Sequence, residues 1–165
     1  MNAGARLCVA GVFAITLLGQ APPRDVEGWG KIKWGMSIAD ASRAYVINRH
    51  EDNELWSELI AEPIEFYDFK LRVAIGARHG SEQISRVRLA TNATQEFDTL
   101  KTLLIQKYGP PIDGETRNEG TDSVRTFLWA FPSTSIRLTL SQDQKNQGRI
   151  DLVYLATDQQ ALEVL

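Results

Sequence analysis

His50-Glu51-Asp52-Asn53-Glu54 sets an imidazole among three carboxylates and is the best metal candidate in the chain. Adjacent side chains on a helical turn point in different directions, so few of these could converge on one ion. A solvated turn between two helical segments is the simpler reading, and no metal site is expected. His79 stands beside Gly80 at an expected hairpin tip. The spacing places no second histidine and no carboxylate beside it, so an exposed turn histidine is expected rather than a general base. Glu65 and Asp68 form the nearest approach to a carboxylate pair, but strand alternation sends them to opposite faces, against glycosidase chemistry. Asp143 and Asn146 lack the spacing of a calcium loop. Asn92-Ala93-Thr94 fits a glycosylation sequon, which matters only in a eukaryotic secretory pathway. A Gly-x-Ser-x-Gly elbow, His-Glu-x-x-His, a P-loop and Gly-x-Gly-x-x-Gly are all missing from the sequence. That removes the familiar hydrolase and nucleotide-binding classes, though not every enzyme, and implies no cofactor.

The chain has 165 residues, 43% of them hydrophobic and 24% charged, with 12 Gly and 6 Pro, which suits a folded domain rather than disorder. A net charge of −3 gives no general pull toward nucleic acid or an anionic membrane. Arg6, the uncharged and mostly apolar run over 7–18 and the small residues of Gly19-Gln20-Ala21 read as a secretory signal. The run is too short for a transmembrane helix, which needs ~20 residues; an uncleaved anchor is the alternative. Cys8 lies inside this run without a lipobox, so removal of the signal leaves a chain with no cysteine and no disulfide framework.

Those candidate residues need elements to hold them. Residues 22–33 read as a linker, with a first strand at 32–34. Ser37 and Asp40 open a helix of about three turns whose apolar face carries Ile38, Ala41 and Tyr45. Leu55, Trp56, Leu59 and Ile60 suggest a second, shorter helical turn ended by Pro63. A strand over 65–69 is expected to run on, or bend, into 71–75, with a tip at 76–83 and a returning strand at 84–91. Thr94 is expected to cap a helix with an apolar stripe at Phe97, Leu100, Leu104 and Tyr108, and Gly109-Pro110-Pro111 stops it. Residues 112–122 read as a polar connection, 124–131 as a strand, and 136–158 as a hairpin with its tip at 141–148.

The two hairpins resemble each other. Leu71-Arg72-Val73-Ala74-Ile75 aligns with Ile136-Arg137-Leu138-Thr139-Leu140. After one inserted residue, Ile84-Ser85-Arg86-Val87-Arg88-Leu89-Ala90-Thr91 aligns with Ile150-Asp151-Leu152-Val153-Tyr154-Leu155-Ala156-Thr157. A fixed period indicates a repeated supersecondary unit sharing one core. The expected fold is therefore α+β: two repeated helix-plus-antiparallel-hairpin units, 34–92 and 93–165, forming one sheet with helices on one face. Alternation puts Leu71, Val73, Ile75, Val87 and Leu89 inward with Ile136, Leu138, Leu140, Val153 and Leu155. Arg72, Arg86, Arg88 and Arg137 then face outward beside Leu152 and Tyr154. Arginine and aromatic side chains are the types enriched at interface hot spots.

Gly35-Met36-Ser37 opening a helix, and Lys107-Tyr108-Gly109-Pro110-Pro111 closing one, resemble the outer-membrane-assembly lipoproteins of the SmpA/OmlA type. The duplicated helix-plus-sheet layout is similar to that of the secreted β-lactamase-inhibitor protein. The resemblance implies protein–protein binding in or outside the cell envelope. The lipobox cysteine of the first family and the disulfide cysteines of the second have no counterpart here, and no functional residues are carried over.

These features point to an exported, periplasmic or secreted, non-enzymatic module that binds a protein partner. The helix-free face and two hairpin tips, carrying His79 and Asp143, would form the binding surface, the equivalent tips projecting together as a paired clamp. An enzyme or small-ligand binder with a site between the repeats is the alternative class. For export, N-terminal sequencing of the protein recovered outside the cytoplasm should begin near residue 22; an intact Met1 in the soluble cytoplasmic fraction would refute the signal.

Overall fold

The structure, a computed structural model, describes residues 25–119, 122–145 and 147–157. The expected signal at 1–21 lies outside them. A short hairpin of β1 (Gly28–Trp29) and β2 (Ile32–Lys33) leads into α1 (Ile38–Ala44). Ser37 caps α1 as expected, its Oγ accepting the Asp40 N–H at 3.0 Å, but the helix has only 7 residues, about two turns rather than three. Four strands follow as a meander: β3 (Ile47–Asp52), β4 (Trp56–Phe66), β5 (Phe69–Arg78) and β6 (Ile84–Thr91). A 3₁₀ turn (Thr94–Glu96) enters α2 (Phe97–Tyr108) without the side-chain cap expected of Thr94. A second meander completes the described chain: β7 (Asp113–Glu119), β8 (Asp122–Ala130), β9 (Thr134–Gln142) and β10 (Gly148–Ala156).

The helix-plus-hairpin expectation is overturned. Strands take 57% and helices 17% of the structure, which has two α-helices and one eight-stranded antiparallel sheet of order β3-β4-β5-β6-β10-β9-β8-β7. Each helix is followed by a meander of four strands, not by a hairpin. The missing strands have physical explanations. β4 carries apolar residues on both faces, with Leu59 and Ala61 under the helices and Trp56 and Ile60 on the other side, so its pattern mimics a helical stripe. Pro63 lies where the β4–β5 register shifts between Ala61 and Ile64, a position that tolerates a missing N–H. β3 and β7 are the sheet's two edges, and their charged composition, which blunts unwanted pairing, reads in sequence as loop. Nor do 65–69 run on into 71–75: Tyr67, at φ 52°, and Asp68 reverse the chain between the paired Phe66 and Phe69.

The register of β10 differs as well. Val87 pairs with Ile75, and Ile150 with Leu140, so Ile150 rather than Val153 is the counterpart of Val87. The sequence alignment slips by three residues, and an odd slip exchanges the faces of a strand. Leu152 and Tyr154 are accordingly buried at 4% exposure each, while Val153 and Leu155 lie half-buried on the opposite face. The rest of the expected core holds: Val73, Val87, Leu89 and Leu138 are buried with Leu100 and Leu104, and Tyr45 packs against the same cluster.

Polar ties fasten the covering layer to the sheet. The Trp129 indole N–H donates to the Gly109 carbonyl at 2.8 Å, locking the end of α2. Burial, and then the Tyr108 hydroxyl beside it, hold the Tyr154 phenol well above its usual pKa. At the chain's entry, the Trp34 indole donates to Thr134 Oγ at 2.6 Å, and the Thr134 hydroxyl donates to the Val26 carbonyl. Asp25 accepts from the Ser133 hydroxyl at 2.6 Å and the Ser133 N–H at 3.0 Å, which keeps its carboxyl below the ordinary range. No helix among the described residues is long and apolar enough to cross a membrane.

The register has a direct check in urea unfolding. Leu152→Ala should cost ~2–5 kcal/mol as a core truncation, and Leu155→Ala clearly less. The opposite order would show that β10 is misplaced by one residue.

Candidate functional site

Residues directly opposite one another in paired strands share a face of the sheet. One such row crosses all eight strands on the side away from the helices: Arg49, Ile60, Ala74, Arg88, Val153, Arg137, Leu128 and Asp113. A second row runs Glu51, Glu58, Gly76, Arg86, Leu155, Ser135, Ala130. A third runs Arg72, Ala90, Asp151, Thr139, Thr126, Glu115. A register shift between Ile47 and Arg49 in β3 is what turns Arg49 and Glu51 toward this open face.

The open face is organised around a glycine. Gly76 lies between Glu58 on β4 and Arg86 on β6, and without a side chain there the two meet above β5 at 2.5 Å. The Trp56 ring covers the pair, with the Arg86 guanidinium carbon 3.9 Å from its centroid. A Cβ built on Gly76 would stand 3.3 Å from Trp56 and 3.6 Å from both partners. The Glu58 side chain is 4% exposed and that of Arg86 15%, so this is a buried ion pair, and Arg88 approaches the second carboxylate oxygen at 3.9 Å. One carboxylate is thus shared by two guanidinium groups.

Beside this pair, Arg49, Arg72 and Arg88, with Glu51 among them, border a shallow depression floored by Ile60, Ala74 and Ala90. Arg49 is held by Glu51 at 2.5 Å, whereas Arg72 has no ion-pair partner among the described residues. Across the β6/β10 seam, Asp113, Glu115, Thr126 and Arg137 line a second open depression.

Arg72, Arg86, Arg88 and Arg137 therefore lie on the expected face, and Leu152 and Tyr154 do not. The expected paired clamp of hairpin tips is also overturned. Arg86, near the tip that carries His79, pairs with Leu155, while Thr91 pairs with Ile150 near the tip that carries Asp143. The tips project from opposite ends of the sheet, separated by the length of β6, roughly 25 Å at about 3.3 Å per residue. His79 is exposed, its N–H bonded to the Leu55 carbonyl, and Asp143 accepts the Lys145 and Gln147 N–H groups at 2.9 and 2.8 Å, shaping its own turn. The Trp56–Glu58–Gly76 part of the site escaped sequence reasoning; a glycine inside a strand pattern was the available signal of close approach.

In the His50 cluster, His50, Glu51 and Asp52 belong to β3, and Asn53 and Glu54 follow its end, so it is not a turn between helices. It brings together the residue types of a hydrolytic triad, but Ser57 Oγ and Asp52 Oδ1 both approach the same histidine nitrogen, Nε2, at 2.8 and 3.7 Å. A relay needs the carboxylate on the other nitrogen, so this geometry does not activate the serine. Among the described residues, no three His, Cys, Asp or Glu side chains are grouped to hold a metal ion.

Removing Glu58 should expose the cost of the buried pair. Glu58→Ala leaves Arg86 uncompensated and should lose ~3–5 kcal/mol in denaturant unfolding, whereas Arg137→Ala on the same face should change stability little. Equal stability of Glu58→Ala and the parent would overturn the assignment. The chain matches no protein-family model, no curated protein and no solved structure.

Proposed function

We propose that this chain is an exported, non-enzymatic module whose open sheet face binds a protein partner presenting acidic residues. The observation that carries this reading is the charge excess over the first meander. Arg49, Arg72, Arg86 and Arg88 stand against Glu51 and Glu58, and both Arg72 and, beyond the seam, Arg137 lack an ion-pair partner among the described residues. Unpaired arginines beside half-buried Val153, Leu155 and Leu128 offer charge-directed docking with apolar contact behind it. Tyr154 is buried on the other side of the sheet, and Trp56, stacked on Arg86, is an aromatic side chain that this face offers instead.

The test begins with a partner recovered by crosslinking in envelope extract and then purified. Arg72→Glu combined with Arg137→Glu should lower its association rate about tenfold or more at low salt and flatten the salt dependence of that rate. Unchanged association and affinity in the double variant would refute binding through this face.

A further inference from the structure

We infer that the depression bounded by Arg49, Arg72 and Arg88 is a carboxylate-binding site that seats one acidic side chain of a protein partner; this rests on the open face being the binding surface. Arg72 is opposite Ala90 and Arg88 opposite Ala74, so the two arginines are diagonal neighbours on adjacent strands, with roughly 7–8 Å between them at the sheet surface. Arg49 enters from the same row as Arg88, three strands away.

The charges are not balanced from within. Glu51 serves Arg49, and Glu58 is engaged by Arg86 at 2.5 Å before Arg88 reaches it at 3.9 Å. Arg72, with no ion-pair partner among the described residues, therefore stands diagonal to an Arg88 that reaches Glu58 only at 3.9 Å, and an anion between them is attracted by both. A carboxylate between two guanidinium forks takes parallel hydrogen bonds from each. The floor selects the rest of the ligand. Ile60, Ala74 and Ala90 are apolar; Ala74 and Ala90 are almost fully covered, and the half-buried Ile60 is the surface against which the methylenes of a glutamate or aspartate would rest. A phosphate would set a hydrated oxygen against that apolar surface.

Glutarate is the carboxylate probe, inorganic phosphate the competitor and chloride the ionic-strength control, titrated into the intact protein with Arg Nε–H resonances read by NMR. Saturable glutarate shifts confined to Arg49, Arg72 and Arg88 are expected, with affinity at least tenfold weaker in Arg72→Gln and unchanged in Arg43→Gln, on the exposed side of α1. Saturation by phosphate but not glutarate would overturn the carboxylate assignment in favour of a phosphorylated ligand. Shifts no larger than those from chloride, or equal binding by Arg72→Gln, would overturn the site altogether. Failure of this pocket leaves partner docking measurable through Arg137→Glu alone, so the two readings fall separately.

Discussion

The antiparallel pairing of β6 with β10 is the constraint on which the rest depends. Within the eight-stranded sheet, β3–β6 are joined to β7–β10 through this one ladder, with the helix-side core beneath it. Leu89 stands opposite Leu152, both buried, and is flanked by Val87 opposite Tyr154 and Thr91 opposite Ile150. The seam is thus apolar underneath and arginine-bearing above, where Arg86 and Arg88 face Leu155 and Val153. Its partners are about sixty residues apart in sequence, so forming it requires a long loop closure after the local meanders are built.

The buried Glu58–Arg86 pair has a different role from the core beneath it. Desolvating two charges offsets most of what their attraction contributes, so the pair adds little net stability over an apolar replacement. What it contributes is position. With Trp56 above and Gly76 below, Arg86 is held in one place, and Arg88 is drawn toward the remaining carboxylate oxygen. The neighbouring depression inherits its shape from this arrangement.

Local chemistry made part of this legible in advance. The Ser37 cap, the Gly109 stop and the alternation of β5, β6 and β9 each depend on residues close in sequence, and each was readable. The edge strands were not, because the charges that protect β3 and β7 from stray pairing are the same charges that mark a loop. β4 was hidden by burial on both faces. In β10 the alternation was visible but its phase was not, since phase is set by the length of the β9–β10 turn and by the bulge in β5–β6 pairing. The face of the four site arginines is therefore legible in the sequence, whereas the side taken by Leu152 and Tyr154 and the Trp56–Glu58–Gly76 support are not.

The turn at Ser133 connects more than two strands. Its side chain and N–H hold Asp25 on the way in, and its carbonyl accepts the Thr157 N–H at 3.0 Å on the way out. Entry and exit of the described fold are thus clasped at one residue, and the path from 25 to 157 closes on itself like a ring. A chain joined across this clasp and reopened at the exposed Tyr67–Asp68 turn would keep every ladder of the sheet, because linear order matters less here than closure.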